Sequence, residues 1–177
     1  MRFYYKKILL INPRMDRIFS TNEPLNLALL ASFIESHGIE VEIVDQLSGE
    51  SVEEKTRKFR PDIVGITSTS TMIEDAYNVA SYFKEKKIPT ILGGVHATTF
   101  TEEAMSRVDM VVKGEGEYPL LKILAEGPDK GVFMSDKIVD INEMPLPARH
   151  LLNNKYYLDV RKKFPQDGNY LFVPKNE

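Results

Sequence analysis

Residues 39–45 have the sequence IEVEIVD, in which glutamates alternate with apolar residues. Alternation of this kind is typical of a β-strand with one face in water, so we expect this strand at the edge of a sheet. Four other short runs are apolar without alternation, as strands buried on both faces are. These runs are KILLINP (7–13), PDIVGITS (61–68), PTILGG (89–94) and DMVVKGEG (109–116).

Helical patterns separate the five runs, which makes the chain a series of βαβ units. We expect the helices at residues 24–37, 51–59, 72–86, 98–106 and 117–125. Such units form a parallel sheet with right-handed crossovers, and a second strand at the edge corresponds to the strand order 2-1-3-4-5. The predicted fold class is therefore α/β, with a flavodoxin-like (Rossmann-like) doubly wound sheet of five parallel strands.

The character of the sequence changes after Gly127. The segment GVFMSDKIVD (131–140) has the pattern of two short strands around a turn and predicts a small antiparallel hairpin. From residue 141 onward, prolines, asparagines and charged residues dominate. We expect one domain over residues 1–140, hairpin included, followed by an extended arm over 141–177 that wraps this domain or leads to another.

The bulk composition narrows the function classes. The chain has 177 residues, a net charge of −3 and no cysteine. Without a basic balance there is no electrostatic case for a nucleic-acid partner. The apolar run at 8–11 is too short for a signal peptide and no stretch is long enough to cross a bilayer, so we expect a cytoplasmic protein without a membrane partner. The lack of cysteine excludes disulfides, thiolate zinc sites and cysteine-ligated iron–sulfur clusters within this sequence.

Ligands of an open α/β sheet bind beyond the carboxyl ends of the strands, where four of the predicted loops meet. Three of these loops consist mainly of glycines or small hydroxyl residues. Such residues leave room for a bulky polar ligand and offer it hydrogen-bonding groups. The candidate cofactor-binding residues are Asn12, Pro13, Arg14, Thr67, Ser68, Thr69, Gly93, Gly94, Val95, His96, Gly114, Glu115, Gly116 and Glu117. Each loop also has a purely structural interpretation, because hydroxyls cap helices and Gly-Gly forms turns.

The familiar ligands of such sheets do not suit these loops. An FMN site needs a hydroxyl- and glycine-rich loop after the first strand, where Pro13 and Arg14 stand. A phosphoreceiver needs an aspartate at the end of the third strand, where Thr67 stands. The dinucleotide fingerprint G-x-G-x-x-G must follow the first strand, whereas GEGEYP (114–119) follows the fifth. A free-standing nucleotide- or sugar-phosphate enzyme would therefore lack a phosphate loop.

The three histidines do not assemble a catalytic site. We expect His37 at a helix end and His150 in the arm. His96 alone lies among the candidate cofactor-binding residues, where we expect it to form part of the wall through a hydrogen bond rather than to act as a base. No nucleophile–base pair and no metal cluster emerges, so we assign no catalytic and no metal-ligating residue. The pattern indicates a binding module.

Five segments, in this order, resemble the amino-terminal cobalamin-binding domain of B12-dependent radical SAM enzymes. They are PLNLALLASFIESHGIEVEIVD, PDIVGITSTS, ILGGVHATTF, VVKGEGEYPLLKIL and INEMPLPAR, and the match spans about residues 7–150. The resemblance implies a flavodoxin-like fold in which the corrin ring rests on the carboxyl edge and the nucleotide tail enters a cleft between strands. Thr67–Thr69 would line this cleft, while Gly93 and Gly94 would let the tail pass close to the fourth strand.

The chain departs from relatives of that family in its first loop. Methionine synthase-like and mutase-like B12 domains carry D-x-H-x-x-G after the first strand, whereas this chain has NPRMDRIFST (12–21), without histidine. The resemblance then implies cobalamin bound with its base displaced and without a protein imidazole on cobalt. Arg14 or Met15 would face the lower side of the ring.

A second departure concerns the catalytic half. A radical SAM domain needs a C-x-x-x-C-x-x-C motif, which is absent here, so the 4Fe-4S cluster and S-adenosylmethionine would belong to a domain elsewhere in a longer chain or to a separate partner. The ending GNYLFVPKNE (168–177) favours an excised amino-terminal portion. The resemblance implies a cobalamin-binding module for methyl transfer or radical rearrangement by the full-length protein. The alternative is a flavodoxin-like docking module that has lost cobalamin.

Overall fold

A six-stranded parallel sheet forms the centre of the computed structural model, which describes residues 3–15, 18–20, 22–128, 130–163 and 170–172. The strands are β1 (Lys7–Asn12), β2 (Ile18–Ser20), β3 (Glu40–Asp45), β4 (Ile63–Thr67), β5 (Thr90–Gly93), β6 (Met110–Val112), β7 (Gly131–Phe133) and β8 (Tyr170–Phe172). The order across the sheet is β3-β1-β4-β5-β6-β7, while β2 and β8 pair separately and antiparallel. The flavodoxin-like order and the edge position of the alternating strand β3 are confirmed.

Helices cover both faces of the sheet. They are α1 (Leu25–Ser36), α2 (Val52–Phe59), α3 (Ile73–Glu85), α4 (Val95–Thr99), α5 (Thr101–Met105), α6 (Glu117–Glu126) and α7 (Asn154–Lys163). One apolar cluster joins α1 and α6 to the sheet, and a second joins α2, α3, α4 and α5 to the opposite face. The strands β1 and β4–β6 are therefore buried on both sides, which agrees with their continuous apolar sequences. None of the described helices is long and apolar enough to cross a membrane.

The predicted hairpin at 131–140 is wrong, and a sixth parallel strand stands in its place. Gly131–Phe133 runs parallel to β6, and only these three residues of the segment are in a strand. Main-chain hydrogen bonds join these residues to the two positions that flank β6. Lys113 N–H donates to Phe133 O over 2.9 Å, and Gly131 N–H donates to Asp109 O over 3.1 Å. Because α6 lies between the two strands and returns the chain to the start of β6, the segment after it can run parallel to β6. The serine of the expected turn closes a local loop instead, since Lys137 N–H donates to Ser135 Oγ over 3.0 Å.

The description of 141–177 as an extended arm is also corrected in part. The segment includes a 3-10 turn at Arg149–Leu151, helix α7 and strand β8, while residues 164–169 and 173–177 lie outside the described ones. It wraps α1: Ala148 N–H donates to Ala28 O over 2.9 Å, and Arg149 Nε pairs with Glu23 Oε1 at 2.8 Å. Because Ala148 and Leu152 are buried in the cluster on the α1 face, this segment completes the core.

The fourth predicted helix begins earlier than expected. It starts at Val95 rather than 98 and is interrupted at Phe100, where the backbone leaves helical geometry between α4 and α5. His96, one of the candidate cofactor-binding residues, therefore belongs to a helix and not to the loop that precedes it.

Candidate cofactor site

A cavity of about 280 Å³ opens at the carboxyl edge of the sheet, between the strands and helices α1 and α6. Its apolar walls include Leu10, Leu27, Leu30, Ile91, Val112 and Leu120. At the carboxyl edge it is lined by Thr67 at the end of β4 and by residues at and after the ends of β5 and β6, which are mostly glycines and polar residues. A slot with apolar walls and a few polar groups at its entrance is typical of sites for small ligands and cofactors.

Two glycines leave the floor of this cavity without side chains. Gly65 and Gly93 lie on adjacent strands, both on the face toward α1 and α6, and both line the cavity. A Cβ atom added at Gly93 would meet only Val112 Cβ, at 3.9 Å, so a longer side chain there would extend into open space. A Cβ atom at Gly65 would lie 2.9 Å from Leu10 Cδ2 and would displace a wall residue. Sequence reasoning missed Gly65, although a glycine inside an apolar strand is itself a signal of close approach.

Gly94 has a different role from its neighbour. Its φ of +97° lies in the region that side chains disfavour, and an added Cβ would lie 2.6 Å from the carbonyl oxygen of Ser68. This glycine therefore allows the chain to turn from β5 into α4 against the end of β4. The Gly-Gly pair thus combines both interpretations: Gly93 leaves room in the cavity, and Gly94 makes the turn.

Hydrogen bonds brace the mouth of the cavity. Asn26 Nδ2, in the first turn of α1, donates to Thr67 Oγ1 at the end of β4 over 3.3 Å. On the β6 side, Gly114 N–H donates to Thr98 Oγ1 over 3.0 Å. Of the residues nominated from sequence, the cavity is lined by Thr67, Gly93, Gly94, Gly114, Glu115, Gly116 and Glu117. The carboxyl ends of β4 and β5 and the loops after β5 and β6 therefore meet at one entrance.

The other candidates lie outside the cavity lining. Ser68 is buried and donates from its hydroxyl to Gly93 O over 3.2 Å, so it ties β4 to β5. Pro13 is buried, Arg14, Thr69 and Val95 are exposed at the carboxyl edge, and Asn12 and His96 are buried in hydrogen-bonded networks. Contact of these residues with a cofactor stays a prediction.

Asn12 belongs to a buried network at the ends of β1 and β3. Its Nδ2 donates to Asp45 Oδ1 over 2.9 Å, and the Tyr157 hydroxyl of α7 donates to Asp45 Oδ2. Burial raises the pKa of the Asp45 carboxyl above its ordinary 3.8, an effect that bonds from Tyr157 and Asn12 oppose. Burial, together with the nearby Asp45 charge, also raises the pKa of Tyr157, which therefore stays a hydroxyl donor at neutral pH. Helix α7 is thus anchored to the carboxyl edge by a buried acid.

The raised pKa of Asp45 makes stability depend on pH in a specified direction. The folded chain holds this proton more tightly than the unfolded chain does, so the contribution is full below pH 3.8 and is lost as the pH rises through the folded-state pKa. In Asp45→Asn this dependence disappears. The unfolding free energy of the wild type relative to Asp45→Asn should fall with rising pH, by at most about 1.4 kcal/mol per pH unit.

Denaturant titrations of both proteins from pH 4 to 8 measure this difference. Burial raises the pKa of Glu50 as well, and the Asp45 charge adds to this shift, so the loss of that charge in Asp45→Asn changes the difference in the same direction. A difference that stays constant over the range, or that rises, would contradict a raised pKa at Asp45.

The histidines lie away from the cavity mouth. His37 Nδ1 bonds Phe33 O at 2.8 Å at the carboxyl end of α1, and His150 Nε2 lies 3.1 Å from Glu35 Oε1 in the last turn of α1. His96 is buried on the opposite face of the sheet from α1. Within the described residues, no group of three or more acidic or histidine side chains is arranged to hold a metal ion.

The open parallel sheet with a slot at its carboxyl edge defines a flavodoxin-like ligand-binding domain. The family model for the B12 binding domain matches residues 12–124. The chain therefore belongs to the B12-binding domain family, and the resemblance seen in its sequence is confirmed.

Relatives of known sequence agree with this assignment. An uncharacterized methyltransferase of Pyrococcus horikoshii is 34% identical over 86% of this chain and 40% of its own length. The anaerobic magnesium-protoporphyrin IX monomethyl ester cyclase of Rubrivivax gelatinosus is 34% identical over 64% of this chain and 22% of its own length. The chain thus spans well under half of either relative.

A solved structure has the same fold. The radical S-adenosylmethionine methyltransferase TsrM from Kitasatospora setae, solved with cobalamin and a [4Fe-4S] cluster bound, aligns with a TM-score of 0.57. The alignment has 20% sequence identity and covers 70% of this chain and 25% of TsrM.

Proposed function

We propose that this chain is a cobalamin-binding module, with the nucleotide tail in the cavity and the corrin ring over the carboxyl edge of the sheet. The observation that carries the proposal is the cleared floor of the cavity. Gly93 omits a side chain at the end of β5, where an added Cβ would meet nothing nearer than Val112 Cβ at 3.9 Å, whereas Leu10 fills the space beside Gly65. An omitted side chain at this position suits a ligand that lies close against the strand.

The walls suit the chemistry of the tail. Its aromatic base is apolar and would pack between Leu27 and Leu30 of α1 and Leu120 of α6, all of which line the cavity. Its ribose and phosphate are polar and would stay at the mouth, near Thr67 and Asn26. The chain's residues would bind and orient the cofactor and exclude water from its tail.

We propose further that cobalamin binds with its base displaced and without a histidine on cobalt. The three histidines of the chain have positions away from the cavity mouth. Of the two first-loop candidates for the lower side of the ring, Met15 is the better one. Its Sδ accepts a hydrogen bond from Thr71 Oγ1 over 3.3 Å, near the end of β4, whereas Arg14 is exposed and its main-chain N–H donates to Gln46 Oε1 over 3.3 Å, on the β3 side.

Bound cobalamin would supply a cobalt centre able to carry a methyl group or an electron. We propose that the full-length protein is a radical SAM enzyme in which this module presents the cofactor to a catalytic domain with a 4Fe-4S cluster and S-adenosylmethionine. Support comes from the TsrM fold and from relatives that are methyltransferases or a cyclase, each longer than this chain. The chain itself would carry out no turnover.

Titration with hydroxocobalamin and with cobinamide, which lacks the nucleotide tail, tests the proposal. We expect the cobalamin complex to survive gel filtration with a base-off absorption spectrum. Cobinamide should bind at least about tenfold more weakly, since it leaves the apolar slot unfilled. After reduction to the cobalt(II) state, the electron paramagnetic resonance spectrum should lack splitting from an axial nitrogen.

Each of these measurements can contradict its own part of the proposal. A protein that leaves the column colourless would contradict cobalamin binding and favour the docking module. Equal affinity for cobinamide would contradict a tail-binding cavity, and nitrogen splitting would contradict the absence of an imidazole or base on cobalt.

A further inference from the structure

His96 is buried, with 5% of its surface exposed, yet it makes polar contacts with the loop that joins β4 to α3. Its Nδ1 lies 3.1 Å from Ser70 Oγ, and its main-chain N–H donates to Ser68 O over 3.3 Å. The ring also packs against Phe100, with centroids 4.9 Å apart. A single residue of α4 is therefore bonded to two positions of this loop.

The opposite side of the imidazole faces an acid. Nε2 lies 3.4 Å from Glu103 Oε2, within ion-pair range, although it makes no hydrogen bond to another described residue. Glu103 is itself held by Tyr77, whose hydroxyl donates to Oε1 over 3.1 Å. Burial and the adjacent Glu103 raise the pKa of Tyr77 to about 12, so this donor persists at neutral pH. The tautomer with its proton on Nε2 suits both sides, since Nδ1 then accepts the Ser70 hydroxyl proton.

The loop that His96 holds, residues 68–71, adjoins the cavity mouth. Thr67, the residue before it, lines the cavity, and Ser68 bonds the carbonyl oxygen of Gly93. At its other end, Thr71 bonds Thr69 Oγ1 at 2.8 Å and Met15 Sδ at 3.3 Å. The exposed hydroxyls between these anchors are where the proposed corrin ring would rest.

We propose that His96 is a positioning residue, which holds loop 68–71 in the conformation that receives the cofactor. This inference rests on the proposed cobalamin site. A hydroxyl-rich loop without a partner below it would sample several conformations, and the binding of a rigid macrocycle would have to select one of them. The His96 side chain reduces that cost in advance through its bond to Ser70, next to the main-chain bond from the N–H of residue 96 to Ser68 O. Its side chain needs no contact with the cofactor for this role.

A set of variants separates positioning from packing. His96→Leu removes the bond to Ser70 but keeps a buried apolar group, whereas His96→Asn keeps a polar atom near the position of Nδ1. We expect His96→Leu to weaken hydroxocobalamin binding about tenfold, as the loss of one partly buried hydrogen bond does, and His96→Asn to restore most of it. Ser70→Ala should weaken binding to a similar degree, and the double variant no further, because both remove the same bond.

Hydrogen exchange of the cofactor-free chain gives a second, independent readout. Amides of residues 68–71 should exchange faster in His96→Leu and in Ser70→Ala, and near the wild-type rate in His96→Asn. Ser70 is exposed, so Ser70→Ala keeps the test decisive if His96→Leu folds poorly. Unchanged exchange and affinity in these variants, additive effects in the double variant, or failure of asparagine to restore the loop would overturn the inference. A wild-type chain that protects the loop but binds no cobalamin would instead refute only the proposed function.

Discussion

Replacement of Gly93 by leucine should weaken cobalamin binding by at least about 100-fold, or about 2.7 kcal/mol, while the fold persists. The added side chain would start on the cavity floor, where the nearest atom to a Cβ is 3.9 Å away. Its branched end would then take up part of a cavity of about 280 Å³ and leave too little space for the tail. Absorbance titration with hydroxocobalamin measures the loss, and circular dichroism with denaturant unfolding checks the fold.

Two neighbouring substitutions serve as controls for size and for position. Gly93→Ala adds only the Cβ atom, at an ordinary contact distance, and should keep most of the affinity. Gly94→Ala should instead destabilise the fold by about 1–3 kcal/mol, because the φ of +97° and the contact with Ser68 O both penalise a Cβ. If Gly93→Leu bound cobalamin as the wild type does, the cavity would not be the site of the tail.

Local sequence patterns predicted most of the sheet, because the apolar and polar residues of a strand show which of its faces are buried. The continuous runs became the inner strands, and the alternation of Glu40 and Glu42 with apolar neighbours placed β3 at the edge. The helices followed from their spacing and from their terminal glycines and prolines. These are short-range signals, and a single sequence contains them in full.

The errors arose where partners are distant in sequence. Gly131–Phe133 has the composition of a hairpin arm, and its choice of β6 as a parallel partner depends on an edge that only the folded sheet provides. The surroundings of Asp45 have the same origin, since its buried carboxyl accepts a hydrogen bond from Tyr157, 112 positions later. No periodicity reveals such a contact.

The sequence predicted which loops lie near the site, but it did not predict on which face of the sheet their side chains lie. Position after a strand shows that a residue reaches the carboxyl edge, which is why the loops after β4, β5 and β6 were found to converge. It does not show which side of the sheet a side chain takes. Thr67 and Gly93 lie on the cavity side, whereas His96, three residues after Gly93, is on the other face because α4 starts at Val95.

The second large effect is expected at Tyr157, which should anchor the carboxyl-terminal segment to the rest of the fold. Only 2% of its surface is exposed, and its hydroxyl bonds the buried Asp45 carboxyl. Tyr157→Ala would leave a cavity and deprive a buried acid of a donor, so we expect unfolding to become easier by about 3–5 kcal/mol. Denaturant unfolding measures this change, and limited proteolysis shows whether α7 is released first.

Matched variants on the same helix separate the two contributions at Tyr157. Tyr157→Phe keeps the ring and removes only the hydroxyl, so it should cost about 1–3 kcal/mol. Leu158→Ala, at a residue with 55% of its surface exposed, should change stability by less than about 0.5 kcal/mol. If Tyr157→Ala were as mild as Leu158→Ala, α7 would be an appendage, and the domain would need the chain only through the buried Leu152. The large effect would mean instead that the domain needs the chain at least through α7, because the carboxyl end of β3 is closed by a residue from that helix.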